Sequence, residues 1–511
     1  MSKNFRLIRS ALFLFAFIAF TVFSADAAVR FKVNLGSPTA LSGGTVSGRL
    51  LIFMTAKKEP MEMIEPDFTD PDAVWITAKE ISAPANSAVW VDADETSFPA
   101  GFSSAPSGEY QVMALLDVDH SYTYNGVNQS DIFSKVVKVK MPDKETELTL
   151  SEHAPSPKPA VYPPNVKVID FESPALSKFW GRPVHMQASV VLPPDYDKSK
   201  QLRFPTVYNV HGYGGDHLGP IRGVANLMKE MTDGKRPQMI YVYLNAHCPL
   251  GHHVFADSAN NGPWGAALVS EFIPYLEKQF RMDAKPSGRF LTGHSSGGWS
   301  TMWVMVTHPD FFGGTWSTSP DPVDFRNFTG PDITKYPPEN AYLTPGGKPY
   351  NLVRMGGKEL MTVEQYAQQE LVTGYYGGQF ASFNAVFSPK GDDGQPMKLF
   401  DIRTGQIDPF VQKAWEKYDI SLMLRSNWKT LGPKLKGKIH ITVGTADTFH
   451  LDEAVQLLDA ELRKLTNPSS DAKITYLPGK THFDLYKDGL GLQIAQEMYA
   501  VARPGARSAG K

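Results

Sequence analysis

The segment Gly293-His294-Ser295-Ser296-Gly297 places a serine between two glycines in the pattern G-x-S-x-G. A serine held there can attack a carbonyl carbon, provided its hydroxyl is exposed and a base stands ready to take the proton. With 42 glycines among 511 residues, five such positions alone say little, so the flanking segments carry the weight. Arg289-Phe-Leu-Thr292 reads as a buried strand, and Ser296 to Thr307 reads as a helix. The serine therefore falls on a tight strand-to-helix turn. Glycines at 293 and 297 relieve crowding around that turn, and the unpaired N–H of Ser296 can meet a developing oxyanion.

A base and an orienting acid are expected downstream, at the ends of later strands. Lys438-Ile-His-Ile-Thr-Val443 reads as a strand, and Gly444-Thr-Ala-Asp447 follows it with a carboxylate. Ile474-Thr-Tyr-Leu477 reads as the next strand, and Pro478-Gly-Lys-Thr-His482 follows with a histidine. The candidate catalytic set is Ser295, Asp447 and His482. Asp321 and Asp324 compete for the acid role, but Pro320 and Pro322 make their segment look like a wall of the site. Upstream, Tyr208-Asn-Val-His211-Gly212-Tyr213-Gly214-Gly215 runs from a strand into a glycine-rich loop, where the Tyr213 N–H is the second candidate oxyanion donor.

Around this set, His211, Gly212, His294, Asp257, Trp264, Asp321 and Asp324 are candidates for the substrate pocket. Asp257 has helix capping as its ordinary alternative. His247, His252 and His253 lack matching carboxylate spacing, so no zinc site and no other metal is expected. Asp117-Val-Asp119-His120 through Tyr124 has ligand types suited to calcium or sugar without the spacing of a defined ion loop. It reads as a solvated loop.

These residues need a sheet to position them. Gln187–Leu192, Thr206–Val210, Ile240–Leu244, Arg289–Thr292 and Ile439–Val443 read as strands, and Ala266–Phe280 has helical spacing. Alternating strands and helices imply an α/β architecture with a mostly parallel sheet flanked by helices. Before it, Val29–Leu35, Thr45–Thr55, Val74–Ile81, Ala88–Asp92, Glu109–Asp117 and Lys135–Met141 read as the strands of an antiparallel, immunoglobulin-like β-sandwich. The expected division is a sandwich over 28–152, a proline-stiffened linker over 153–165 and an α/β domain over 166–505. A segment over about 317–427, rich in Pro, Gly and Tyr, interrupts the α/β pattern as an insertion.

Lys3, Arg6 and Arg9 precede an apolar run from Ala11 to Phe23 and the small-residue site Ala25-Asp-Ala27, which together read as an export signal over 1–27. Export to the periplasm or the extracellular space, with no stable membrane insertion after cleavage, is the expectation. The balance of 51 basic and 53 acidic residues, net −2, gives no field for nucleic acid or an anionic membrane. A single cysteine, Cys248, excludes an internal disulfide, so the core must hold the fold.

Together Leu192-Pro-Pro-Asp-Tyr196, His211-Gly-Tyr-Gly-Gly215, Gly293-His-Ser-Ser-Gly297, Gly444-Thr-Ala-Asp447 and Gly479-Lys-Thr-His482 resemble the esterase D-like branch of the α/β-hydrolases. That branch includes feruloyl esterases, siderophore esterases and antigen 85 type acyltransferases. The resemblance runs from about Phe171 to Ala502. It implies an α/β-hydrolase fold, acyl-ester chemistry without a metal or organic cofactor, and a triad at Ser295, Asp447 and His482. The expected function is hydrolysis of a small-molecule or glycan-linked ester through an acyl-serine. An acyltransferase with the same serine and a non-catalytic binding protein on this scaffold are the alternatives. The insertion and the sandwich depart from the family pattern, and both bear on the choice of substrate.

Overall fold

The computed structural model describes residues 29–36, 44–141, 145–154, 161–198, 200–375 and 377–505. The export signal and the Pro155–Pro159 stretch of the linker lie outside the described residues. No helix among the described residues is long and apolar enough to cross a membrane.

Eight strands form the larger α/β sheet. In spatial order they are Val166–Glu172, His185–Val191, Ile240–Leu244, Thr206–Val210, Arg289–His294, Gly314–Thr318, Ile439–Gly444 and Lys473–Leu477. The first two pairings are antiparallel and the rest parallel. Neighbouring residues of a strand face opposite ways, which explains why Val207, Tyr241, Phe290 and Trp316 pack under the helices Val224–Thr232 and Leu490–Ala502. Their neighbours Tyr208, Val242 and Leu291 join the core on the other face, beneath the helices Ser296–Thr307, Ile420–Leu435 and Leu451–Leu462. Each such fully buried aliphatic side chain contributes about 1.5–3 kcal/mol of apolar burial. This strand order, with one early crossover and helices on both faces, is the α/β-hydrolase fold.

The N-terminal strands form a separate nine-stranded sheet. It departs from a wholly antiparallel pattern, because Arg30–Asn34 pairs in parallel with Glu145–His153. The run Leu50-Leu-Ile-Phe-Met54 is buried throughout. Leu50, Ile52 and Met54 face Phe31, Val33, Leu148 and Leu150 in a core of their own. Leu51 and Phe53 face the other way and join the core of the α/β body. A strand buried on both faces reads as a continuous apolar run, and this one does.

What the second face meets is the segment after Gly314–Thr318. It forms a hairpin of Asn351–Met355 with Lys358–Thr362 and then the helices Val363–Gly374, Gln379–Phe387 and Pro409–Trp415. Thr362 and Gln365 close a capping box at the start of the first helix. At its end the Arg49 guanidinium donates to the Leu371 and Val372 carbonyls, both at 2.9 Å. A cation at a helix C-terminus satisfies carbonyls that have no partner within the helix.

Candidate active site

Ser295 sits between the strand Arg289–His294 and the helix Ser296–Thr307, with φ of 59°. A non-glycine residue in this region is strained and must be held by its surroundings. Ser295 N–H donates to the Thr318 carbonyl at 3.0 Å, and the Ser295 carbonyl accepts from Trp299 N–H at 3.0 Å and Asp321 N–H at 3.2 Å. The helix passes so close to the sheet that a Cβ on Gly293 would strike the Gly297 backbone, and one on Gly297 would strike Val210. Both glycines are therefore required by close approach.

Asp447 and His482 come from the loops after Ile439–Gly444 and Lys473–Leu477, which are joined by Thr445 N–H to Leu477 O and Ala446 N–H to Lys480 O, each 3.0 Å. The Asp447 carboxylate lies 3.0 Å from His482 Nδ1, and both side chains are buried. Burial pushes the Asp447 carboxyl up, but the His482 hydrogen bond and charge outweigh it and leave the group below its ordinary value. Phe449 N–H adds a 3.0 Å bond to the carboxylate. The Phe449 ring packs edge-on against the His482 ring at 4.9 Å.

Ser295 and His482 line one cavity of about 520 Å³. The serine hydroxyl is turned to Asp321, donating to Oδ1 at a long 3.5 Å. Asp321 also accepts from Ser296 Oγ at 2.6 Å and Gln379 Nε2 at 3.3 Å. Burial raises its carboxyl to about 6 despite those bonds. Asp321 thus lines the cavity beside the nucleophile candidate, while Asp447 alone of the two holds the imidazole.

Gly212 lies against Ser295, with an added Cβ only 3.3 Å from the serine Cβ. Among the described residues the amides of Tyr213 and Ser296 donate no loop or turn hydrogen bond to another backbone group. Tyr213 is held from its far end, where its phenol reaches the Thr123 carbonyl at 3.0 Å and the Gly377 carbonyl at 2.9 Å.

Of the pocket candidates, Gly212, His294 and Asp321 line the cavity; His211, Asp257, Trp264 and Asp324 do not. His211 accepts the Ala246 N–H at 2.9 Å and fixes the loop from behind. Asp257 accepts the Ala266 N–H at 3.0 Å beside the short helix Trp264–Ala267, the capping alternative. Trp264 is buried and stacked on His253 at 3.7 Å. Asp324 is bound twice by Arg326, at 2.9 and 2.6 Å. His294 stands 4.3 Å from the His482 ring, and burial with the facing His482 drives it down to about 3, so it is neutral.

Sequence reasoning missed most of the apolar wall. Leu352, Tyr366, Phe380 and Phe383, all from the segment after Gly314–Thr318, line the cavity. Phe68 comes from the N-terminal region and meets Phe449 at 6.0 Å and Phe483 at 5.9 Å. It missed Arg354 as well, whose guanidinium donates to the Asp447 carbonyl at 2.9 Å and to Asp452 at 2.6 Å.

The chain matches the family model described as "Putative esterase" over residues 182–483, more than half its length. It is 29% identical over 157 residues to an endo-1,4-beta-xylanase/feruloyl esterase of Xylanibacter ruminicola, a match covering 29% of this chain and 20% of the relative. The chain thus spans about a fifth of that relative's length. Among solved structures, a ferulic acid esterase is similar at 14% identity, with a TM-score of 0.42, over 65% of this chain and 98% of its own. The fluorophosphonate-binding serine hydrolase F of Staphylococcus aureus is similar at 15% identity and TM-score 0.37, over 66% and 98%. Since the family match runs from before the strand His185–Val191 to just past His482, across more than half of the sequence, the chain belongs to this esterase family.

Proposed function

We propose that the protein is an exported serine esterase that cleaves aromatic carboxylic esters, of the hydroxycinnamoyl type borne by plant carbohydrate, through an acyl-enzyme on Ser295. The observation that carries the reading is the buried 3.0 Å contact of Asp447 with His482 in the wall of the cavity that holds Ser295. Nδ1 of His482 is engaged by the carboxylate, which leaves Nε2 as the base. On substrate binding the Ser295 hydroxyl turns from Asp321 to Nε2. His482 takes its proton as Oγ bonds to the ester carbon, and the Ser296 and Tyr213 amides receive the oxyanion. Collapse of this intermediate breaks the bond to the alcohol, which leaves with the proton from His482. Water then enters by the same steps and frees the acid and Ser295.

The preference for an aromatic acyl group rests on the wall of Phe68, Phe380, Phe383, Phe449 and Phe483. Offset and edge-on ring contacts favour a planar aryl group by about 0.5–1.5 kcal/mol each beyond area burial. The name of the Xylanibacter relative points the same way. Residues 1–27 are read as the export signal. Residues 28–152 are read as an accessory domain that completes the cavity through Phe68, joined by the 153–165 linker to the catalytic part over 166–505, with the insertion near 317–427 as its cover.

Comparing kcat/KM for methyl ferulate, a feruloylated arabino-oligosaccharide and p-nitrophenyl acetate tests the assignment. With methyl butyrate added as the aliphatic methyl ester, the reading expects methyl ferulate to be preferred over it at least tenfold. Turnover of acetate esters with no gain from an aryl acyl group contradicts the substrate assignment while leaving the esterase intact.

A further inference from the structure

The loop that leaves the strand Gly108–Asp117 is solvated at Asp119, His120, Gln129 and Ser130 but buried at both ends. Asp117 and Asp131 are 1% and 0% exposed, and with exposed Asp119 they bring carboxylate oxygens within 4.8 Å of one another. None of the ion pairs among the described residues involves these three carboxylates. The arginine opposite Asp117 in the strand pairing, Arg49, is committed to Glu80 and to the Leu371 and Val372 carbonyls.

The hydrogen bonds of the loop leave one oxygen unused. Asp117 accepts the Ser121 and Tyr122 amides at 3.0 and 3.1 Å. Asp119 accepts Ser121 N–H, Asn128 Nδ2 and Ser130 Oγ at 3.1, 3.2 and 2.9 Å. Asp131 Oδ2 accepts the Asn128 amide at 2.8 Å, but Oδ1, buried, has no hydrogen-bond partner at normal distance and angle. A buried carboxylate oxygen left bare costs about 1–3 kcal/mol, and more when charged. Asp117 and Asp119 stand beside it with like charge, and of the surrounding amides only that of Val118 draws near without reaching normal hydrogen-bond geometry. A hard cation removes both the bare oxygen and the repulsion. The donors are all oxygen, and a spread of up to 4.8 Å is about twice a calcium–oxygen bond of roughly 2.4 Å.

We propose that Asp117, Asp119 and Asp131 hold a calcium-like divalent cation that fixes the 117–131 loop against the loop carrying Tyr213. The link to the site is short. The amides held by Asp117 open the turn Tyr122–Asn125, whose Thr123 carbonyl accepts the Tyr213 phenol at 3.0 Å. Tyr124 donates to the Gly215 carbonyl at 3.1 Å, and its ring stands 5.0 Å from Tyr213. Cation binding therefore stiffens the backing of the loop that presents the Tyr213 amide.

The test uses the full mature chain, stripped with a chelator and titrated with CaCl2 in a calorimeter, then melted with CaCl2, MgCl2 or chelator. One calcium per chain, a melting temperature raised by about 5 °C or more at saturation, and a smaller response to magnesium are expected. In Asp131→Asn the calcium shift disappears while the chelated protein melts no lower than the chelated parent, because the bare charge is gone. Asp119→Asn, at an exposed position that does not endanger folding, weakens calcium binding at least tenfold. Absence of binding heat and of a calcium-dependent shift in the parent overturns the proposal, as does a shift of equal size in both variants. None of these readouts depends on ester turnover, so they stand apart from the assignment of the catalytic serine.

Discussion

Phe68, from the N-terminal strand-rich region, packs its ring 6.0 Å from that of Phe449, two residues beyond Asp447. The N-terminal strand-rich region thereby forms part of the cavity wall. Phe68→Ala is expected to raise KM for methyl ferulate about 3- to 10-fold, the loss of one or two ring contacts, with kcat for p-nitrophenyl acetate nearly unchanged. Steady-state kinetics on the two esters separate a lost acyl contact from a general loss of activity.

The Asp447 carboxylate is engaged by His482 Nδ1 and the Phe449 amide. In Asp447→Asn the imidazole loses the partner that sets its tautomer and stabilises its charged form. The kcat for an aryl ester should fall about 10³- to 10⁴-fold with KM within a factor of about three. Rates and circular dichroism measured on the same preparation check that the loss is chemical.

Arg354 joins the Asp447 carbonyl to the buried Asp452 carboxylate. Arg354→Met leaves Asp452 without its cation, at a cost of about 2–4 kcal/mol. Asp452, already raised to about 6 chiefly by burial, moves higher. Denaturant unfolding at pH 8 should show that loss, and it should shrink below pH 5, where Asp452 carries a proton.

Asp321 is raised from its ordinary 3.8 to about 6, chiefly by burial. A carboxyl whose folded value exceeds its unfolded value favours the folded state fully below the unfolded value, and that favour is lost as pH climbs through the folded one. The contribution therefore fades between about pH 4 and 6, by roughly 3 kcal/mol. Asp321→Asn keeps an acceptor for Ser296 Oγ and removes the titration. Its stability should exceed that of the parent above pH 7 and match it near pH 4, which melting temperatures across that range measure.

Where burial and turn chemistry agreed, much of this was legible in the sequence. Ile240–Leu244 is a continuous apolar run, the mark of a strand buried on both faces, and Ser296–Thr307 begins immediately after a glycine-flanked turn. The meeting of Asp447 with His482 followed from their places at the ends of consecutive strands. Glu145–His153 escaped because it is largely polar and alternates between exposed and buried, Val166–Glu172 because more than half of it is exposed, and prolines lie between them. Phe68 and Phe383 reach the cavity through packing between segments far apart in the chain, which no local periodicity encodes. Trp264 and Asp324, by contrast, looked functional by type, yet stacking on His253 and pairing with Arg326 engage them in the framework.

The acyl-enzyme on Ser295 is the centre of the account, and intact-mass spectrometry of protein mixed with a slowly hydrolysed aryl ester and quenched in acid within milliseconds addresses it directly. The account predicts a species heavier by one acyl group, released as free acid over time, mapped by peptide digestion to Ser295 and missing from Ser295→Ala. Ester turnover by Ser295→Ala at the parental rate, or an acyl group mapped to another residue, would contradict it.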